Sequence, residues 1–150
     1  MYRNILVPLD GSQTAAGGLA EAIELARGQP STLHLVHVLM DFPLMVEMAG
    51  AADYERSRQI LLQQAEQILG AARQQVQAAG LECQTRVLEA GGRRVADVIV
   101  EAAEADHCGL IAMGTHGRRG FSRAALGSDA ELVARLATMP VLLVRQPAKT

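Results

Sequence analysis

The chain has 150 residues, 49% of them hydrophobic and 20% charged, with a formal net charge of -2. That size and balance predict one globular domain spanning residues 1–150, with a core large enough to stand alone. The small net charge excludes a global field toward nucleic acid or anionic lipid, and the absence of tryptophan, with 3% aromatics, excludes a base-stacking platform.

The chain starts Met1-Tyr2-Arg3-Asn4-Ile5-Leu6-Val7. This runs straight into an apolar strand rather than a secretory leader, so a cytoplasmic location is expected. No apolar run approaches the roughly 18 residues that a membrane span needs. Ile5-Leu6-Val7 is the first strand, and Pro8 and Asp10 follow it. Positions 13–28 read as a helix with Leu19, Ala22, Ile23 and Ala26 on one face, ended by Gly28 and Pro30. Residues 33–38 form the second strand. His34 and His37 lie three apart in it, so they face opposite sides and make no simple metal pair. Residues 40–50 are Met-rich and apolar where a loop belongs. They read as a lid packed on the sheet, or as a ligand-gating or partner-binding loop.

Leu61, Ala65, Ile68, Ala72, Val76 and Ala79 recur at spacings of three and four, which predicts a long amphipathic helix over 51–79 stopped at Gly80. Leu81 to Leu88 is the third strand, and Val95, Val98, Ile99 and Ala102 mark a short helix. Leu110 to Met113 is the fourth strand, residues 128–138 the last helix, and Val141 to Val144 the fifth strand after Pro140. Near-continuous apolar strands alternating with helices predict a mainly parallel sheet covered on both faces. Cys83 and Cys108 sit in separate strand-like segments without metal-ligand spacing and read as reduced structural residues.

The stretch Met113 to Glu131, MGTHGRRGFSRAALGSDAE, carries the clearest chemistry. A strand leads in and a helix leads out, with Gly114, Gly117 and Gly127-Ser128 between them. Glycine lets the backbone come close to a ligand, and the N–H groups of a helix start favour phosphate. Arg118, Arg119 and Arg123 read either as a solvated basic loop or as a phosphate clamp, and His116 could reach a phosphate oxygen. Ser128 with Glu131 also reads as a capping box. In open parallel sheets, ligands lie beyond the carboxyl ends of the strands where strand order reverses. The Pro8-Leu9-Asp10-Gly11-Ser12 segment reaches such a position too. Asp10 there could hold a ribose hydroxyl or a metal-bound water, or simply form a turn. Gly120 is followed by Phe121-Ser122 rather than Lys-Ser/Thr, which excludes a Walker A loop. The dinucleotide fingerprint after the first strand and a Gly-x-Ser-x-Gly elbow are both absent.

Asn4 to Ser12, Leu35-Val36-His37-Val38, Gly91-Gly92, Ile111 to Gly114, the glycine motif and Met139 to Val144 together resemble the universal stress protein family, in particular its ATP-binding branch. The resemblance implies a Rossmann-like α/β fold of the adenine nucleotide alpha hydrolase type: a five-stranded parallel sheet in order 3-2-1-4-5 with helices on both faces. It implies that Pro8, Leu9, Asp10 and Val38 lie at adenine and ribose. Met113 and Gly114 would border ribose and phosphates, and His116, Gly117, Arg118, Arg119, Gly127, Ser128 and the backbone of Asp129 would serve the phosphates. The implied cofactors are ATP, or ADP or AMP, with Mg2+ or Mn2+, and Asp10 is the candidate metal contact. A homodimer through Val141-Val144 is implied, alongside an unidentified protein partner. The expected role is a stress-response regulator switched by nucleotide binding. The alternatives are a slow ATPase or autokinase acting on Ser122 or another local hydroxyl, and a partner-binding module responding to another adenine nucleotide such as AMP or cyclic AMP. One departure concerns Asp129, where the family often has an apolar residue. A carboxylate there suits the helix dipole but repels phosphate, and Arg118-Arg119 could offset it.

Overall fold

The computed structural model describes residues 1–40, 48, 50–116 and 126–145. Five strands form one parallel sheet: β1 (Asn4–Pro8), β2 (Thr32–Leu39), β3 (Glu82–Glu89), β4 (Leu110–Gly114) and β5 (Val141–Val144). Their order is β3-β2-β1-β4-β5, as the resemblance implied. Among the described residues the connecting helices are α1 (Gln13–Ala26), α2 (Ala51–Ala78), α3 (Val95–Ala105) and α4 (Ser128–Leu136).

The alternation of side chains along β1, β2 and β4 divides the core between the two faces. Ile5, Val7, Leu33, Leu35 and Ala112 pack against Leu19, Ala22 and Ile23 of α1 and Leu69, Ala72 and Val76 of α2. Leu6, Val36, Ile111 and Met113 pack against Ala96, Ile99 and Ala103 of α3 and Ala130 and Val133 of α4. Both faces of the central strands are therefore apolar, which is why these strands read as continuous hydrophobic runs.

The helix ends follow local chemistry. Ser12 caps α1 by accepting from the Ala15 N–H at 3.1 Å. α1 ends at Ala26, two residues before the expected 28, because Gly28 takes a positive φ of 76°. At the end of α2 the Leu81 N–H reaches the Val76 carbonyl at 3.2 Å and the Gly80 N–H reaches Gln77 at 2.9 Å, a Schellman closure. α3 closes the same way, with Cys108 N–H on Ala103 at 2.8 Å and His107 N–H on Glu104 at 3.0 Å. Here a histidine, His107, holds the left-handed position at φ 50°. Cys108 thus lies in the link before β4 rather than in a strand. Burial, reinforced by the Asp106 carboxylate, pushes its thiol up to about 12, so it is a packed and unreactive residue.

The last helix starts at Ser128, as expected, but departs from expectation in its cap and at its other end. It stops at Leu136, and its N-cap is Gly127 rather than Ser128. Ser128 is the first helical residue, so the capping box with Glu131 does not form. The Glu131 N–H instead bonds the Gly127 carbonyl at 2.9 Å, and its carboxylate pairs with Arg135 one turn on at 3.1 Å.

Candidate functional site

The sheet order makes β1 and β4 neighbours, and their outgoing connections leave to opposite faces. The crevice beyond their carboxyl ends is the switch point of the fold. Two segments predicted from sequence meet there.

The first is the turn after β1. Leu9 is buried, and its N–H bonds the Val36 carbonyl at 2.8 Å. Its own carbonyl takes a 2.7 Å bond from His37 Nδ1, and because a carbonyl can only accept, that nitrogen carries the proton. Asp10 Oδ1 accepts the Ser12 N–H at 2.9 Å, so Asp10 does form the turn that its residue type favours. His34, on the other face of β2, has its Nδ1 3.3 Å from Asp106 Oδ2, which Arg86 also holds at 2.7 Å. The two histidines therefore do face opposite ways.

The second segment is the pair of loop ends after β4. Gly114 is buried against the first turn of α1. A Cβ on it would overlap the Thr14 carbonyl group and lie 2.9 Å from the Ala15 nitrogen. Gly18, one turn along α1, is as tight: a Cβ there would come within 3.0 Å of the Met113 and Gly114 backbone. Thr115 is 3% exposed, and its N–H bonds Val144 at 3.0 Å. Its carbonyl accepts the Gly127 N–H at 2.7 Å, which ties the far end of the loop back to the end of β4. Thr14 Oγ1 donates to the His116 carbonyl.

Pro8, Leu9 and Asp10 from β1 and Gly114, His116, Gly127 and Ser128 from β4 and α4 are thus brought to one end of the sheet. Val38 stands near the end of β2, half-buried against the second core layer. The Met113 side chain packs into that same layer, so only its backbone faces the crevice end. Ser128 and Asp129 are exposed in the first turn of α4. Gly117, Arg118, Arg119, Arg123 and Ser122 lie outside the described residues, as do 41–47 and 49 of the Met-rich loop. Sequence reasoning missed Thr14, Gly18 and His37, because each acts through a partner at least 28 positions away. A glycine inside the α1 pattern was the one visible signal, since it lowers helix propensity without an obvious local reason.

The two helix starts at this end differ. α1 is capped by the Ser12 side chain, whereas the N-cap of α4 is Gly127, and among the described residues no side chain caps that helix. Gly127 has φ -62° and ψ 146°, angles that any residue adopts. Its lack of a side chain is therefore not required by its backbone conformation, unlike the crowding that accounts for Gly114. An uncapped helix start behind a side-chain-free residue suits an anion that approaches the backbone closely.

These features define an open α/β domain with the starts of α1 and α4 at its switch point. A match to the universal stress protein family covers residues 1–145, and the chain belongs to that family. It is 31% identical over 149 residues to universal stress protein MJ0531 of Methanocaldococcus jannaschii, covering 99% of this chain and 85% of that protein. Among solved structures, the hypothetical protein MJ0577 superposes with a TM-score of 0.87 at 24% identity, with 99% of each chain covered. The universal stress protein of Archaeoglobus fulgidus in complex with dAMP superposes with a TM-score of 0.68 at 25% identity, covering 95% of this chain and 97% of that one. Among the described residues no helix is long and apolar enough to cross a membrane.

Proposed function

We propose that this protein is an adenine-nucleotide-binding regulator of the stress response, with ATP as the nucleotide and its binding as the switch. The observation that carries the proposal is the side-chain-free start of α4 at Gly127, tied to Thr115 after β4 at the same end of the sheet as the Asp10 turn. The dAMP bound by the Archaeoglobus fulgidus relative supports the same class of ligand. Pro8, Leu9, Asp10 and Val38 are assigned to adenine and ribose. The backbones of Met113 and Gly114 border the sugar, and His116, Gly117, Arg118, Arg119, Gly127, Ser128 and Asp129 serve the phosphates. No group of three or more His, Cys, Asp or Glu able to hold a metal occurs among the described residues. A magnesium or manganese ion accompanying the nucleotide would take Asp10 as its protein carboxylate.

Calorimetry with Mg-ATP tests the reading. The native protein is expected to release heat of binding, and a Gly117→Val/Gly127→Val variant to bind at least about tenfold more weakly, the equivalent of one well-placed phosphate contact. Valine is compatible with the Gly127 backbone angles, so the part of the loss due to that position would reflect occupied space. No heat from either protein would sink the proposal.

The assembly follows from the sheet edge. β5 is an outer strand, and all four of its residues, Val141-Leu142-Leu143-Val144, are half-buried in the single chain. An apolar outer strand is a pairing surface unless covered, so we assign it to a homodimer. Sedimentation equilibrium is expected to give a dimer that Leu142→Lys converts to monomer. A monomeric native protein would overturn this assignment.

A further inference from the structure

We infer that Thr14 is a positioning residue for the nucleotide site, its hydroxyl joining the start of α1 to the entrance of the glycine loop. The inference rests on the nucleotide-binding reading above and deepens it.

The hydrogen-bond directions are set by chemistry. The Thr14 hydroxyl proton goes to the His116 carbonyl, because a carbonyl can only accept. In the 3.0 Å contact between Ser12 Oγ and Thr14 Oγ1, Ser12 must then be the donor. Ser12 Oγ keeps an acceptor position, which takes the Ala15 N–H at 3.1 Å. Each hydroxyl is used once as donor and once as acceptor. On one side the chain continues through the Ser12 N–H to Asp10 Oδ1 at 2.9 Å. On the other, His116 Nδ1 lies 2.9 Å from Thr115 Oγ1, and the Thr115 carbonyl holds the Gly127 N–H at 2.7 Å. The Asp10 turn and both ends of the glycine loop, His116 and Gly127, thereby hang on one connected set of bonds.

Packing gives the strut its short reach. The bare Gly114 and Gly18 let α1 lie directly on the end of β4, which brings Thr14 within bonding distance of His116. Thr14 therefore governs how far the Asp10 half of the site stands from the Gly127 half. Asp10 is assigned to ribose and Gly127 to phosphate, so the strut sets the spacing that a nucleotide must match.

Thr14→Val removes the hydroxyl at nearly constant shape, and Thr14→Ser restores it. Mg-ATP binding by calorimetry and thermal melting are measured on both variants and on the native protein. The expected result is binding about three- to tenfold weaker in Thr14→Val, within about twofold of native in Thr14→Ser, with all three proteins folded. Native-strength binding by Thr14→Val overturns the inference, as does failure of Thr14→Ser to recover. Absence of binding by the native protein instead overturns the functional proposal itself. If Thr14→Val does not fold, Thr14→Ala is read in its place and must show the same loss.

Discussion

Gly114→Ala is expected to destabilise the fold by about 3 kcal/mol, the upper end for overpacking a close contact. The added methyl group meets the Thr14 carbonyl and the Ala15 nitrogen, which are backbone atoms of a capped helix turn and not the ends of flexible side chains. Relief requires the start of α1 to lift from β4, which breaks the Thr14–His116 bond. For a domain of this size the melting temperature should fall by roughly 6–12 °C. Gly70→Ala provides the internal contrast. Gly70 lies within α2 with nothing within 4 Å of an added Cβ, so alanine there should stabilise by about 0.5–1 kcal/mol. The same chemical change is thus expected to act with opposite signs at two sites, as read from urea midpoints. A Gly114→Ala protein within about 0.5 kcal/mol of native would refute the close-contact argument.

This glycine also marks the limit of what the sequence discloses. Gly114 stood out as part of a ligand-binding rhythm, yet its immediate neighbour is α1. The strand order and the two core layers were legible because residues such as Leu6, Val36 and Ile111 are apolar for one reason, burial on a two-sided sheet. That the Asp10 turn and the Gly127 loop end follow neighbouring strands, at one end of the sheet, was legible as a consequence of that order. The cap of α4 was less so: Ser128 and Gly127 are both good N-cap residues, and tertiary bonding from Gly127 to Thr115 decides between them. The helix closure at His107 was hidden for a related reason. A non-glycine residue holds the left-handed position there, while the Asn4 side chain bonds the Asp106 carbonyl at 3.1 Å across 102 residues. Thr14 and His37 are ordinary polar residues until the fold gives each a carbonyl to bond.

Leu6→Ala is expected to cost about 3–5 kcal/mol, the range for removing a fully buried leucine from a core that cannot collapse around the gap. Leu6 is 0% exposed on the central strand, paired with His34 of β2 and Ile111 of β4, and it packs in the layer under α3 and α4. Strands on both sides leave the backbone little room to close the cavity. Against a total of about 5–15 kcal/mol this loss is a large share, so the urea midpoint should fall steeply while the native signal survives. The Leu6 and Gly114 variants should then separate in the presence of ligand. A nucleotide held at about 100 times its Kd returns about 2.7 kcal/mol to any protein whose site is intact. Leu6→Ala leaves Asp10, Thr14 and Gly127 in place and should recover nearly that amount with Mg-ATP. Gly114→Ala displaces α1 from β4 at the site itself and should recover much less. Equal recovery by both variants would show that the contact between α1 and β4 does not shape the nucleotide site.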